Sequence, residues 1–226
     1  MLSLHTMSIY QDFPIKKSSW KRFDVTVLYV FDLLGTFAFA VSGGIAAVRK
    51  KMDLYGILVL ATVTAVGGGT IRDVLVGRIP PFIFRDITYF VVSITAGLLV
   101  FFFHTYVERR FKLLLIMDAI GLGTFTVIGI SVGLKFEIGY FGAIFLGVMT
   151  ATAGGMMRDI LQGEVPLVLQ REIYASACIA GGLIFVSLDI LNVMLNINVF
   201  ISGAAVIAIR MISITKNWNL PKPKTS

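Results

Sequence analysis

The chain has 226 residues, 57% of them hydrophobic and only 15% charged, with a mean hydropathy of +0.87. That is too apolar for a soluble domain of this size and excludes the ordinary soluble enzyme and scaffold classes. A net charge of +7 would suit nucleic acid, but the basic residues fall at the ends of apolar runs and not on one soluble face, so they read as topological signals and no nucleic-acid partner is expected. An apolar window of about 20 residues spans a bilayer core. Seven such windows follow one another, near Val25–Val48, Leu54–Leu75, Ile87–Val107, Leu113–Leu134, Ile138–Leu161, Ile173–Leu191 and Leu195–Ile214. The loops between them are short. Residues 1–24 form a polar tail without the apolar core of a signal peptide, residues 216–226 form a second, and Trp20 and Trp218 bracket the apolar block at headgroup level. The single cysteine, Cys178, reads as a small packing residue. The predicted class is all-α, a polytopic membrane protein of seven transmembrane helices in contact with lipid.

Two stretches inside these windows do not belong to a simple anchor. Gly67-Gly68-Gly69-Thr70-Ile71-Arg72-Asp73 places three glycines and an ion pair in the second span, and Ala153-Gly154-Gly155-Met156-Met157-Arg158-Asp159 echoes it eighty-six residues later in the fifth. The same shift pairs Asp32 with Asp118, Gly35 with Gly121, Gly43 with Gly129, Thr64 with Thr150, Gly77 with Gly163 and Arg85 with Arg171. Each unit holds three spans, an odd number, so the second must enter the membrane from the opposite side. The expected organisation is therefore a first three-helix repeat at 25–110, an inverted second repeat at 111–194, and a seventh helix at 195–215 outside the repeat.

A glycine in a helix interior costs about 1 kcal/mol relative to alanine, so Gly67–Gly69 is the weakest point of the second span. If that helix opens there, the freed carbonyls present a negative dipole end suited to a partly dehydrated cation, with the hydroxyls of Thr64, Thr70, Thr150 and Thr152 close by. The competing reading is that the glycines let neighbouring helices approach closely. The charges need partners, because one near the bilayer centre costs at least ~2.5 kcal/mol. At 1.5 Å per residue, Asp32 and Arg72 reach similar depths near one surface, and the repeat puts Asp118 and Arg158 near the other. Asp73 and Asp159, adjacent to the arginines, point about 100° away on a regular helix. Two charge clusters with an apolar and hydroxyl-lined waist between them are the arrangement of a gated polar path; the alternative is that the pairs lock helices together, and the two roles are compatible. Counting Lys and Arg at the span ends places the C-terminus in the cytoplasm.

An aspartate in the first span, Gly-Gly-Gly-x-x-Arg-Asp in the second and its copy in the fifth resemble the trimeric intracellular cation channel family. The likeness is to its prokaryotic members, also catalogued as glycine-transporter-like membrane proteins. The resemblance covers about residues 25 to 214. It implies a homotrimer in a prokaryotic plasma membrane, each protomer with its own pore lined by kinked second and fifth helices together with the first and fourth. It also implies conduction of monovalent cations, chiefly potassium, as cargo, with no resident cofactor and with room for bound lipid. Ala153 departs from the triple glycine and leaves the bend of the fifth helix less marked.

No enzyme is expected. The glycine run lacks the preceding strand and following Gly-Lys-Ser/Thr of a phosphate cradle, and no nucleophile stands beside a base. His5 and His104 lie too far apart to share a metal with the carboxylates. The alternative to a channel is a secondary transporter that moves a small solute such as an amino acid by alternating access, since inverted repeats serve both.

Overall fold

The computed structural model describes residues 25–108, 110–170 and 173–216; the two tails with Trp20 and Trp218, and the Arg171–Glu172 pair, lie outside them. Its described residues are helical with no strand. Seven helices carry the fold: α1 (Val25–Arg49), α2 (Leu54–Leu75), α3 (Thr88–Phe102), α4 (Phe111–Lys135), α5 (Gly139–Leu161), α6 (Ala175–Ile190) and α7 (Leu195–Lys216). Short helical turns at Phe82–Phe84, His104–Val107 and Leu167–Gln170 fill the connections. Five helices, α1, α2, α4, α5 and α7, are long and apolar enough to cross a membrane, whereas α3 and α6 are apolar but shorter. The third predicted span thus divides, because Phe103 leaves α-helical geometry before the turn at His104–Val107.

Local chemistry sets the helix ends, and it repeats. Asp53 caps α2 by accepting from Gly56 N–H at 2.8 Å, which satisfies an otherwise orphaned donor. α2 stops at Gly77 (φ +72°) with Arg78 N–H bonding back to Asp73 C=O, and α5 stops at Gly163 (φ +73°) with Glu164 N–H bonding back to Asp159 C=O. In both, a left-handed glycine closes the helix in the 6→1 pattern that recaptures its last carbonyls. Lys51 and Glu137, also eighty-six residues apart, take the same left-handed geometry after α1 and α4.

α4 is the hub. Every residue from Gly121 to Gly133 is buried, as expected of a helix apolar on all sides. It packs on α1, α5, α6 and α7, while α2 packs on α1, α3 and α5. Small residues make these approaches possible: a Cβ on Gly129 would sit 2.7 Å from Gly147 Cα, and one on Gly133 would sit 2.7 Å from Ala143 Cα. α7 closes on α4 in the same way, where a Cβ on Gly123 would meet Gly203 C=O at 2.7 Å.

The predicted opening of α2 and α5 at their glycines is not seen. Helical structure runs unbroken through Gly67–Gly69 and through Ala153–Gly155. The physical reason is a comparison of costs. Three glycines weaken a helix by about 1 kcal/mol each, but every backbone group left unpaired in an apolar interior costs several. Continuity therefore wins, and the glycines act at a helix crossing instead.

Candidate functional site: two buried charge clusters about a helix crossing

α2 and α5 cross backbone to backbone. A Cβ on Gly68 would lie 2.1 Å from Thr150 C=O, and a Cβ on Gly154 would lie 2.3 Å from Thr64 C=O. The two contacts are reciprocal, which is what a two-fold relation between the helices produces. The flanking glycines make room for side chains. Gly67 accommodates the end of Met157, Gly69 the ring of Phe82, and Gly155 the hydroxyl of Tyr174. At the positions equivalent to Gly67 and Met157 stand Ala153 and Ile71, a larger residue set against a shorter one.

The predicted threonines flank this crossing, but their hydroxyls are already engaged. Thr64, Thr70, Thr150 and Thr152 each donate to the carbonyl four residues earlier, at 2.6, 2.8, 2.6 and 2.9 Å. Back-bonding satisfies the hydroxyl proton within the helix and leaves the oxygen lone pairs as acceptors.

The six predicted charged residues are all buried and fall into two groups. In the first, Arg72 Nε donates to Asp73 Oδ1 at 2.9 Å, so the adjacent carboxylate is reached despite its offset on the helix. Asp73 also accepts from Phe82 N–H at 2.9 Å and lies 3.8 Å from Arg78, which ties the chain after α2 back onto the helix. The Arg72 guanidinium lies over the Phe82 ring at 5.5 Å. Asp32 joins through Tyr89, whose hydroxyl donates to it at 2.8 Å and whose ring stands edge-on to Phe82 at 4.5 Å.

In the second group Arg158 is the centre. Its Nη1 donates to Asp118 at 2.6 Å and to Ser42 at 2.6 Å, and its Nε donates to Asp159 at 2.8 Å. The predicted Asp118–Arg158 pairing is thus present, and it draws α1 in through Ser42. Asp159 accepts from Leu167 N–H at 2.8 Å, the counterpart of the Asp73–Phe82 bond. Tyr174, buried, holds the place that Tyr89 holds in the first group, and Arg210 of α7 lies over its ring at 4.7 Å while donating to Ile173 C=O at 3.0 Å.

Sequence reasoning missed Arg78, Arg210, Tyr89, Tyr174 and Ser42. Arg78 and Arg210 stand near span ends, where a basic residue reads as a topological signal, yet both are buried at 6% and 2% exposure. With them each group holds two arginines and two carboxylates, so each can be electroneutral in a medium that penalises net charge. Tyr89 and Tyr174 are separated by eighty-five residues, not eighty-six; a one-residue shift in the repeat would have found them. Ser42 corresponds to Ile128, and no pattern marks it.

A family model described as "Glycine transporter" matches residues 29–105 and again 115–189, two segments whose starts are eighty-six residues apart. A UPF0126 membrane protein of Vibrio cholerae is 44% identical over 161 residues, which is 71% of this chain and 67% of that one. The UPF0126 inner membrane protein YadS of Escherichia coli is 42% identical over 159 residues, 70% of this chain and 77% of that one. Among solved structures, the TRIC trimeric intracellular cation channel orthologue from Rhodobacter sphaeroides superposes with a TM-score of 0.82 at 38% identity, over 85% of this chain and all of that one. The chain belongs to the trimeric intracellular cation channel family. A second member, from a structural study of conductance through TRIC cation channels, gives a TM-score of 0.80 at 36% identity over 88% of this chain and 98% of that one. A prokaryotic TRIC channel crystallised in 0.5 M KCl gives 0.81 at 29% identity over 86% and 99%. As a family member the chain is an integral membrane protein, and its Escherichia coli relative carries an inner-membrane name. In this TRIC-family chain the two arginine–carboxylate groups beside the α2–α5 crossing carry charge into the apolar interior.

Proposed function

We propose that the chain is a monovalent cation channel, permeable to potassium, in which each protomer of a homotrimer holds its own path between α1, α2, α4 and α5. The observation that carries this reading is the pair of balanced, buried charge groups on either side of the α2–α5 crossing, in a chain whose solved neighbours are TRIC cation channels. The carboxylates keep lone pairs beyond those that accept from the arginines, so they can face a passing cation without holding it tightly, which conduction requires. The charged pairs at each end and the glycines at the crossing supply the mouths and the waist. The fold is read as seven spans, with α3 and α6 completed by the helical turns beside them, and as inverted repeats at 25–110 and 111–194 with α7 outside. The C-terminus is assigned to the cytoplasm of a prokaryotic cell. Exposed apolar residues such as Leu34, Phe90, Phe141 and Leu183 supply surface for lipid and for neighbouring protomers. The cargo is the only ion the reading needs, and no resident cofactor enters it.

The family model's description supports a second reading, transport of glycine or a similar solute. Reading an amino acid takes one group for its carboxylate and another for its ammonium, both available in one pocket. Here the candidate charges are engaged with each other: Arg158 holds two carboxylates and a hydroxyl, and Asp73 holds Arg72 and a backbone N–H. Potassium efflux from liposomes, measured beside uptake of radiolabelled glycine, separates the two. The channel reading expects potassium efflux that is independent of glycine. Glycine uptake without potassium permeability would replace it with the transporter.

A further inference from the structure

Phe39 and Phe125 are related by the eighty-six-residue shift and stack on each other, with centroids 5.3 Å apart and planes 18° from parallel. Phe39 follows Asp32 by seven residues on α1, and Phe125 follows Asp118 by seven on α4. Seven residues are two turns, about 10 Å, and return to the same helix face. Each ring therefore sits on the face that bears its helix's carboxylate, displaced toward the other group. α1 and α4 run antiparallel here: a Cβ on Gly35 would meet Thr124 and Phe125, and one on Gly121 would meet Phe39 at 2.2 Å. Further along, Ser42 joins Asp118 through Arg158. Reading down α1, the order is the first charge group at Asp32, the stacked rings, then the second group at Ser42.

The rings also reach the other helix pair. A Cβ on Gly154 would lie 3.7 Å from the Phe39 ring and 2.3 Å from Thr64 C=O, so Phe39 abuts the point where α2 crosses α5. All four helices of the proposed path meet there around two side chains with no oxygen or nitrogen to offer an ion. Both rings are buried, at 1% and 2% exposure.

We propose that the Phe39–Phe125 stack is the barrier that closes the path between the two charge groups, and that parting of the two rings opens it. The proposal rests on the channel reading above. Stacked, the rings cover each other's faces; parted, they turn toward the path π-faces that carry partial negative charge and favour a cation over an anion. The same two residues would then set both the closed barrier and part of the charge preference.

The test compares substitutions of similar size and opposite polarity. Potassium efflux is measured from liposomes holding wild-type protein, Phe39→Met, Phe39→Gln, Phe125→Met or Phe125→Gln. An apolar barrier predicts at least a tenfold rise in efflux for each Gln variant and efflux within about twofold of wild type for each Met variant. Gln and Met variants that both match a conducting wild type would show the stack to be core packing and overturn the proposal, while leaving the channel reading intact. A wild type that takes up glycine and passes no potassium would remove the channel reading and the proposal together. If a Gln variant does not assemble, a thiol variant decides. In a Cys178→Ala background, Phe39→Cys is treated with a cationic methanethiosulfonate reagent and read by mass spectrometry. Modification in the conducting protein supports a place on the ion path; protection from the reagent in a protein that still conducts overturns it.

Discussion

Gly68→Ala isolates the α2–α5 crossing. The added Cβ would stand 2.1 Å from Thr150 C=O, whereas ordinary contact begins near 3.4 Å, so the helices must part by roughly 1.3 Å. α5 cannot retreat easily, because it is also packed closely on α4, where Gly147 Cα lies 2.7 Å from the Cβ position of Gly129. Overpacking of this kind costs about 1–3 kcal/mol, and an obstacle made of backbone belongs at the upper end. Removing a helix-interior glycine returns up to about 1 kcal/mol, which leaves a net loss of about 1–2 kcal/mol. For a chain of this length that is a fall in Tm of roughly 2–8 °C. Gly67→Ala is the internal control. Its obstacle is the terminal methyl of Met157, which can swing aside, and alanine already stands at the equivalent position 153, so its Tm should equal or exceed that of wild type. Gly154→Ala, facing Thr64 C=O, should fall with Gly68→Ala. Thermal unfolding of the detergent-solubilised protein, followed by size exclusion, reads all three. Equal Tm values for Gly67→Ala and Gly68→Ala would refute the crossing as the reason for the glycines.

Arg158→Ala strands two buried carboxylates and should cost about 3–5 kcal/mol, whereas adding Asp118→Asn should recover part of that loss, since the double change leaves less charge unpaired; strictly additive Tm shifts would rule out the coupling. The Lys50–Glu164 ion pair, which joins the loop after α1 to the loop after α5, has side chains 39% and 51% exposed, so Glu164→Gln should change stability by no more than about 0.5 kcal/mol. A larger loss in urea or thermal titration would mean that the pair holds the two loops together. Assembly through apolar helix faces predicts a trimer of 24.7 kDa chains in mild detergent; cross-linking that stops at dimers would contradict it.

The all-helical class, the repeat register and the six buried charges were legible because their causes are local or periodic. Apolar windows of bilayer length, the eighty-six-residue shift and the doubled Gly-x-x-Arg-Asp spacing all survive in one dimension. The glycines themselves were ambiguous: Gly68 looks the same in sequence whether it opens a helix or admits a neighbour, and only the position of Thr150 C=O decides. Arg78 and Arg210 were misassigned because a basic residue near a span end reads as a topological signal, while its burial depends on loops and on α7 folding back over Tyr174. The short α3 shows the same limit, since an apolar run does not reveal where the helix turns. Ser42 depends on how α1 lies against α5, for which no spacing speaks, and the Phe39–Phe125 pair, although related by the repeat shift, is a stack only because α1 lies against α4.

Passage of cations through a path in each protomer is open to single-channel recording in planar bilayers. Under a KCl gradient the purified protein should give discrete unitary currents that reverse near the potassium equilibrium potential, with no requirement for glycine on either side. Currents that reverse near the chloride potential, or a bilayer that stays silent while glycine is carried across it, would contradict the claim.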